Sequence, residues 1–359
     1  MDKKNSLISI DLLRFFAAFA VYYYHQHIGS ILAKYTQLYW LTYTDFIGAN
    51  YAVPLFFLIS GFCIHLSMAN KGLHLDIKKY YIARLWRLYP TYLVALLLSI
   101  LLIWIITAKP VPIQDLMTHL FILQGFSETY FNTINVILWT ITIELVLYLA
   151  YPLFYFIYRK SSIHTALAFT AIITIISIIT CMLNNEEISL PDRYFFTNLW
   201  FAWCFGAWLC EIYLKKPNYF KTSNWYIVSI VLFGLFFLSF FLSWENDILI
   251  KSIIYVCFWA PILIYLILNE DYLIKHKIWL KIPIALGLSS YSLYLFHDSL
   301  IMFKNYFIHL FIVEEFQFFS MFLGIFIIPL FCYWNYLFIE KRFMNMRPLK
   351  HLEVTNGKS

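Results

Sequence analysis

Apolar runs of about 20 residues follow one another along almost the whole chain, separated by short polar breaks. A helix needs about 20 apolar residues to cross roughly 30 Å of hydrocarbon. Within lipid every backbone N–H and C=O must be satisfied internally, and for long continuous apolar runs only the α-helix does this. The pattern therefore reads as an all-α, polytopic membrane protein. Composition agrees, with 62% hydrophobic and 13% charged residues, where a soluble domain carries about 25% charge.

The runs predict ten spans, at 7–28, 46–68, 88–108, 134–158, 164–183, 194–214, 225–243, 252–268, 283–305 and 318–340. Cytoplasmic loops collect Lys and Arg. With a cytoplasmic N-terminus, 20 of these residues fall on the inner side and 5 on the outer, which places both termini in the cytoplasm. The outer segments are acidic, as in 184–192 and the Glu314–Glu315 pair. The net charge of +6 thus reflects loop placement and does not point to nucleic acid. The first run has no small-residue cleavage site after it and reads as a retained span. The expected organisation is one transmembrane domain over 1–345 with a short cytoplasmic tail, 346–359, in the inner (plasma) membrane. Six cysteines (Cys63, Cys181, Cys204, Cys210, Cys257, Cys332) are scattered without a C-x-x-C pair and read as packing residues.

Ionisable residues inside a membrane helix cost about 2.5–3.5 kcal/mol each on insertion scales, so the few that occur point to function. They are Asp11, Arg14, His25, His27, His65, Glu144, Glu211, His297 and Asp298. Arg14 and His25 are eleven residues apart, which is three turns plus about 20° and about 16 Å of rise. They therefore share a helix face, whereas His27 is turned away by about 200°. The second span carries Ser60–Gly61, a small pair suited to close helix packing or to admitting a substrate chain. Arg84 and Arg87, at i and i+3 before Pro90, read as the cytoplasmic mouth of the third span. They supply either ordinary inner-loop charge or a guanidinium clamp for phosphates. Glu144, beside Trp139 in the fourth span, and His297 in the ninth can share a depth with His25.

A histidine with carboxylate support in a desolvated pocket suits general-base activation of a hydroxyl, and arginines at the inner mouth suit a phosphate-bearing donor. No Walker-type loop, dinucleotide fingerprint or H-E-x-x-H motif occurs, nor an Asp-rich metal-diphosphate motif, so metal catalysis has little support in the sequence. Five motifs occur in order. They are D-x-x-R-x(10)-H (Asp11, Arg14, His25), F-F-x-x-S-G-F (Phe56 to Phe62), R-x-x-R-x-x-P (Arg84, Arg87, Pro90), W-x-x-x-x-E (Trp139, Glu144) and S-x-S-L-Y-L-x-H (Ser290 to His297, with Tyr294). Together they resemble the acyltransferase family 3 membrane proteins, which include bacterial surface-glycan O-acetyltransferases. The resemblance implies transfer of an acyl group, usually acetyl, from cytoplasmic acyl-CoA to a hydroxyl of an extracytoplasmic or lipid-linked carbohydrate, with no permanently bound cofactor. It assigns the essential roles to Arg14 and His25 and the donor side to Arg84 and Arg87; Ser60 and Gly61, as a small pair able to admit a chain, are read as further donor contacts. Glu144 and His297 join the catalytic group on chemical grounds, and Asp11, Trp139 and Tyr294 support it. Some relatives carry a fused periplasmic SGNH-type domain. No such domain is expected in this chain, which then either acts alone or hands its acyl group to a separate transferase partner. The rival reading is a secondary transporter or flippase for an envelope precursor, with the intramembrane His, Glu and Arg as a proton relay. Internal repeats would favour it, and each motif occurs once.

Overall fold

The computed structural model describes residues 7–46, 48, 51–184, 188–221, 227, 229–231, 233–234, 247–311 and 317–346. Among the described residues it is helical without β-strands. In chain order the helices are α1 (Ile8–His25), α2 (Ile28–Thr36), α3 (Ala52–Ala69), α4 (Ile77–Thr107), α5 (Ile113–Leu120), α6 (Trp139–Lys160), α7 (Ile163–Asn184) and α8 (Leu190–Arg193). They continue as α9 (Phe196–Lys215), α10 (Asp247–Leu268), α11 (Glu270–Lys275), α12 (Lys281–Leu288), α13 (Ser290–Phe311), α14 (Gln317–Asn335) and α15 (Lys341–Asn345).

Among the described residues six helical stretches are long and apolar enough to cross a membrane: Ala52–Ala69, Ile77–Thr107, Trp139–Lys160, Ile163–Leu183, Ile250–Leu268 and Phe318–Asn345. α1, α9 and α13 are of spanning length but fall outside the same hydropathy limits. These three carry Arg14 and His25, Glu211, and His297, so the polar residues themselves dilute the apolar signal. The expected seventh span, 225–243, lies largely outside the described residues, as do the Glu314–Glu315 pair and the tail after 346.

Two expected boundaries are corrected. The third span does not start after the arginines: α4 begins at Ile77, capped by the Asp76 carboxylate on the Lys79 N–H at 3.0 Å, and runs through Pro90. Arg84 and Arg87 therefore sit inside a 31-residue helix. The charged first turns hid its start from a hydropathy reading. The ninth span is interrupted, because α12 ends at Leu288 and α13 begins at Ser290.

The chain divides into two compact units. The first comprises Met1–Ala17, Ala49–His74 and Leu149–Gly287. Its centre is the crossing of α3 and α9, where two glycines bring backbone against backbone. A Cβ on Gly61 would meet the Trp203 carbonyl oxygen at 1.8 Å, and one on Gly206 would meet that of Leu58 at 1.9 Å. The Trp203 indole N–H donates to Ser60 Oγ at 3.1 Å. The same seam carries a polar cluster centred on the buried Glu211 and His65, with Lys215 reaching it from the exposed side. Glu211 is held by His65 Nε2 at 2.9 Å, by the Tyr158 hydroxyl at 2.5 Å and by Lys215 Nζ at 2.5 Å, and His65 Nδ1 meets the Tyr151 hydroxyl at 3.2 Å. α1 starts in this unit, with its first amides, Ile8 N–H and Ser9 N–H, donating to the two Glu270 carboxylate oxygens at 2.5 and 3.1 Å. This cap offsets the orphan donors of a helix N-terminus.

The second unit comprises Ala18–Gly48, Leu75–Tyr148 and Leu288–Ser359. α4 and α13 are pinned by Ser99 Oγ to Ser299 Oγ at 2.6 Å. Asn135 Nδ2 reaches Ser299 Oγ and the Leu295 carbonyl, each at 3.1 Å. The 121–138 connection is thus anchored to the helices beneath it. Farther along, the Tyr291 hydroxyl donates to the Leu88 carbonyl at 2.9 Å, and Ser292 Oγ donates to Glu340 at 2.8 Å.

Candidate active site

In the first unit, Arg14 on α1 donates through Nη2 to Cys63 Sγ at 3.3 Å and lies 3.8 Å from the buried Asp11 carboxylate, one turn back. Gly287 at the end of α12 lets that chain close on α1 here, since a Cβ would meet the Asp11 carbonyl oxygen at 1.9 Å. The pair at Ser60–Gly61 makes the close helix packing that its small side chains suit. Gly61 faces the Trp203 backbone, so the space it leaves is filled by α9.

In the second unit, His25 at the end of α1 packs against His297 of α13, with ring centroids 5.2 Å apart. Tyr24 closes on the other side of His25 at 4.9 Å. Tyr22 and Tyr294 both stand at 6.1 Å from the His297 ring. α1 ends here, where His27 adopts a left-handed backbone, φ 53°, and caps the start of α2. His297 is fully buried. Its Nδ1 faces the Leu293 carbonyl at 2.9 Å. A carbonyl only accepts, so Nδ1 carries the proton and Nε2 presents a lone pair. That Nε2 is buried with no hydrogen-bond partner among the described residues. An unmade hydrogen bond costs about 1–3 kcal/mol when the group is buried, and such exceptions in folded proteins call for a functional account.

A second cluster in the same unit gathers the arginine pair. The Arg84 guanidinium lies 5.6 Å from the Tyr80 ring centroid, and its Nε is buried without a hydrogen-bond partner among the described residues. The Tyr80 hydroxyl donates to the Tyr148 carbonyl at 3.1 Å. The Tyr148 phenol is hydrogen-bonded to Glu144 and lies within electrostatic reach of Arg84 and Arg87. Glu144, which depth alone could align with His25, is thus engaged with this arginine-tyrosine cluster. Trp139 stacks on Phe131 at 5.0 Å and 20° and serves the 121–138 connection.

Gln26 and Lys304 stand near the histidine pair and were not foreseen. Lys304 Nζ donates to Gln26 Oε1 at 2.6 Å, and Gln26 Nε2 donates to the Tyr22 hydroxyl at 2.8 Å. The one available sequence signal was spacing, since Lys304 is seven residues after His297 and falls on the same helix face.

Residues 7–336 match the family described as Acyltransferase domain, and the chain belongs to this family, acyltransferase family 3. It is 25% identical over 302 residues to a provisionally named acetyltransferase of Acidianus two-tailed virus, covering 82% of this chain and 83% of that protein. It is 26% identical over 215 residues to the acyltransferase MdmB of Streptomyces mycarofaciens, covering 55% of this chain and 52% of that protein. No solved structure matches. Helices of spanning length and this family membership define a multi-pass membrane acyltransferase.

Proposed function

We propose that the chain is an acyl-CoA-dependent O-acyltransferase that moves an acetyl group to a hydroxyl of an extracytoplasmic or lipid-linked glycan. It crosses the inner (plasma) membrane ten times, with both termini cytoplasmic. The observation that carries this reading is the half-buried His25 packed on the fully buried His297, whose Nε2 has no hydrogen-bond partner among the described residues. His25, with His297 beside it, takes the proton of the acceptor hydroxyl. The hydroxyl oxygen attacks the thioester carbonyl carbon, the C–S bond breaks, and the imidazolium returns the proton to the departing CoA thiolate. Arg84 and Arg87 engage the CoA phosphates, with Glu144 and Tyr148 fixing the guanidinium directions. Arg14, held by Asp11 and Cys63, faces the thioester end of the donor and steadies developing oxyanion charge. An acyl-histidine relay through His25 is the variant of this scheme, and a separate periplasmic or extracellular transferase is the partner it would serve. Membership of an acyltransferase family supports this reading over a transporter.

The test is purified protein in detergent with radiolabelled acetyl-CoA and membrane extract of the source cells as acceptor. Label transfer and free thiol should appear with wild type and be lost in His25→Ala and Arg14→Ala proteins of unchanged melting behaviour. Wild-type protein that consumes no short acyl-CoA would remove the donor and with it the proposal.

A further inference from the structure

Lys304 places a positive charge on α13 seven residues, or about 10 Å of helix rise, beyond His297 and on the same face. Side chains of a helix lean toward its N-terminus, so the ammonium reaches back toward the histidines. It is half-buried, and its hydrogen-bond partner is an uncharged amide oxygen. No carboxylate pairs with it among the described residues. Asp298, the nearest acid on its own helix, instead accepts from the Val136 N–H at 3.4 Å.

The holder of this cation is itself built into the fold. Gln26 spends Oε1 on Lys304 and Nε2 on Tyr22, so its amide cannot flip without losing both bonds. Gly324 of α14 leaves the room for that amide, since a Cβ there would stand 2.6 Å from Nε2. The Tyr22 ring meets His297 edge-on. Lys304, Gln26, Tyr22, His297 and His25 thus form one contiguous row within the second unit. An ammonium has three donors. One is used by Gln26, and among the described residues no carboxylate compensates the charge. A fixed charge at such a depth is retained where a water-filled path or a ligand meets it.

We propose that the acceptor is anionic. A carboxylate or phosphate, placed a sugar unit or so from the acylated hydroxyl, is bound by Lys304, which Gln26 orients. The inference rests on the acyltransferase reading and its orientation, in which the Lys304 end of α13 opens to the extracytoplasmic side. Lys304 is on this view a specificity-determining residue, and the histidines remain the reacting groups.

The test uses wild-type protein in detergent, radiolabelled acetyl-CoA and the glycan fraction of the source membranes, with the product resolved by anion exchange. The label should elute as an anion. In one arm the acceptor's carboxylates are first reduced with carbodiimide and borohydride, and in the other its phosphates are removed with hydrofluoric acid. One treatment should abolish acceptor activity and so identify the group. Lys304→Gln should raise the acceptor KM about tenfold with kcat largely retained, and Lys304→Arg should restore most of it. Label in a neutral fraction, insensitive to both treatments, overturns the proposal even if Lys304→Gln fails to fold, and so does an unchanged KM in a folded Lys304→Gln. These results leave acyl transfer standing. Absence of CoA release from wild type with untreated acceptor instead removes the acyltransferase reading and this proposal together.

Discussion

His297 gives one ring nitrogen to its own helix backbone and keeps the other free, and this fixes what its replacement should do. His297→Gln retains a polar side chain of similar reach but removes the imidazole lone pair. If the pair acts as the proton acceptor, general-base loss predicts a fall in kcat of about 10²–10⁴ with the acetyl-CoA KM nearly unchanged. His25→Ala should fall as far, and the double substitution little further, because groups acting as one unit are strongly non-additive. Steady-state CoA release checks all three. A proportional rise in donor KM would instead assign His297 to binding. Arginine differs from lysine at a planar, multi-donor site, so Arg84→Lys should raise the donor KM about tenfold with kcat little changed, measured by the same CoA release.

At the scale of the element, α1 owes its start to Glu270 and α3 its approach to α9 to two glycines. Removing a helix cap costs about 1 kcal/mol, within a range of about 0.5–2, so Glu270→Ala should lower the melting temperature by a few degrees. The loss should be smaller for Glu270→Gln, which keeps an acceptor without the charge. At Gly61 a side chain meets backbone, which cannot rotate away, and overpacking of this kind costs about 1–3 kcal/mol or more. Gly61→Val should therefore destabilise more than the adjacent Ser60→Ala, as read by thermal unfolding in detergent. α5 offers a pH-dependent case outside the expected spans. His119 is fully buried, with Nδ1 3.0 Å from Asp115, which also accepts the Thr133 hydroxyl at 2.8 Å. Burial holds His119 below the ordinary imidazole range, with Asp115 offsetting part of that effect. A depressed histidine contributes its stability above the unfolded value of about 6.5 and loses it as pH falls. The protection of amides across 113–120, measured against their intrinsic exchange rates, should thus fall between about pH 7 and 5, and His119→Gln should flatten that dependence. An equal slope in both proteins would dismiss the histidine as its source.

For the whole molecule, legibility followed the contrast between apolar run and charged break. α7 and α9 begin and end within about two residues of the expected limits, because their runs stop sharply at Ser, Pro, Asn and Lys. α4 was misjudged at its start because Lys78, Lys79, Arg84 and Arg87 lie on helical turns that hydropathy discards. The pairings were not legible from periodicity: His297 was grouped with His25 on chemistry and depth alone, and His65 was not linked to Glu211. His65 with Glu211, and His25 with His297, join segments 146 and 272 residues apart, and helical periodicity carries no information on which helices become neighbours. The reading of direction rests on the 20 to 5 division of Lys and Arg and on the rule that basic loops stay inside. That rule makes opposite demands on exposed lysines of successive loops. In sealed right-side-out vesicles, single cysteines at Lys34 and Lys109 in a cysteine-free background should react with a charged maleimide. Cysteines at Lys79 and Lys160 should react only after the membrane is opened. All four positions are exposed, so failure to react reports the membrane and not burial. Reversal of both pairs would turn the molecule over and place Arg84 and Arg87 away from cytoplasmic CoA. A mixed result within either pair would instead change the number of crossings between α2 and α6, and with it the side on which Lys304 meets its acceptor.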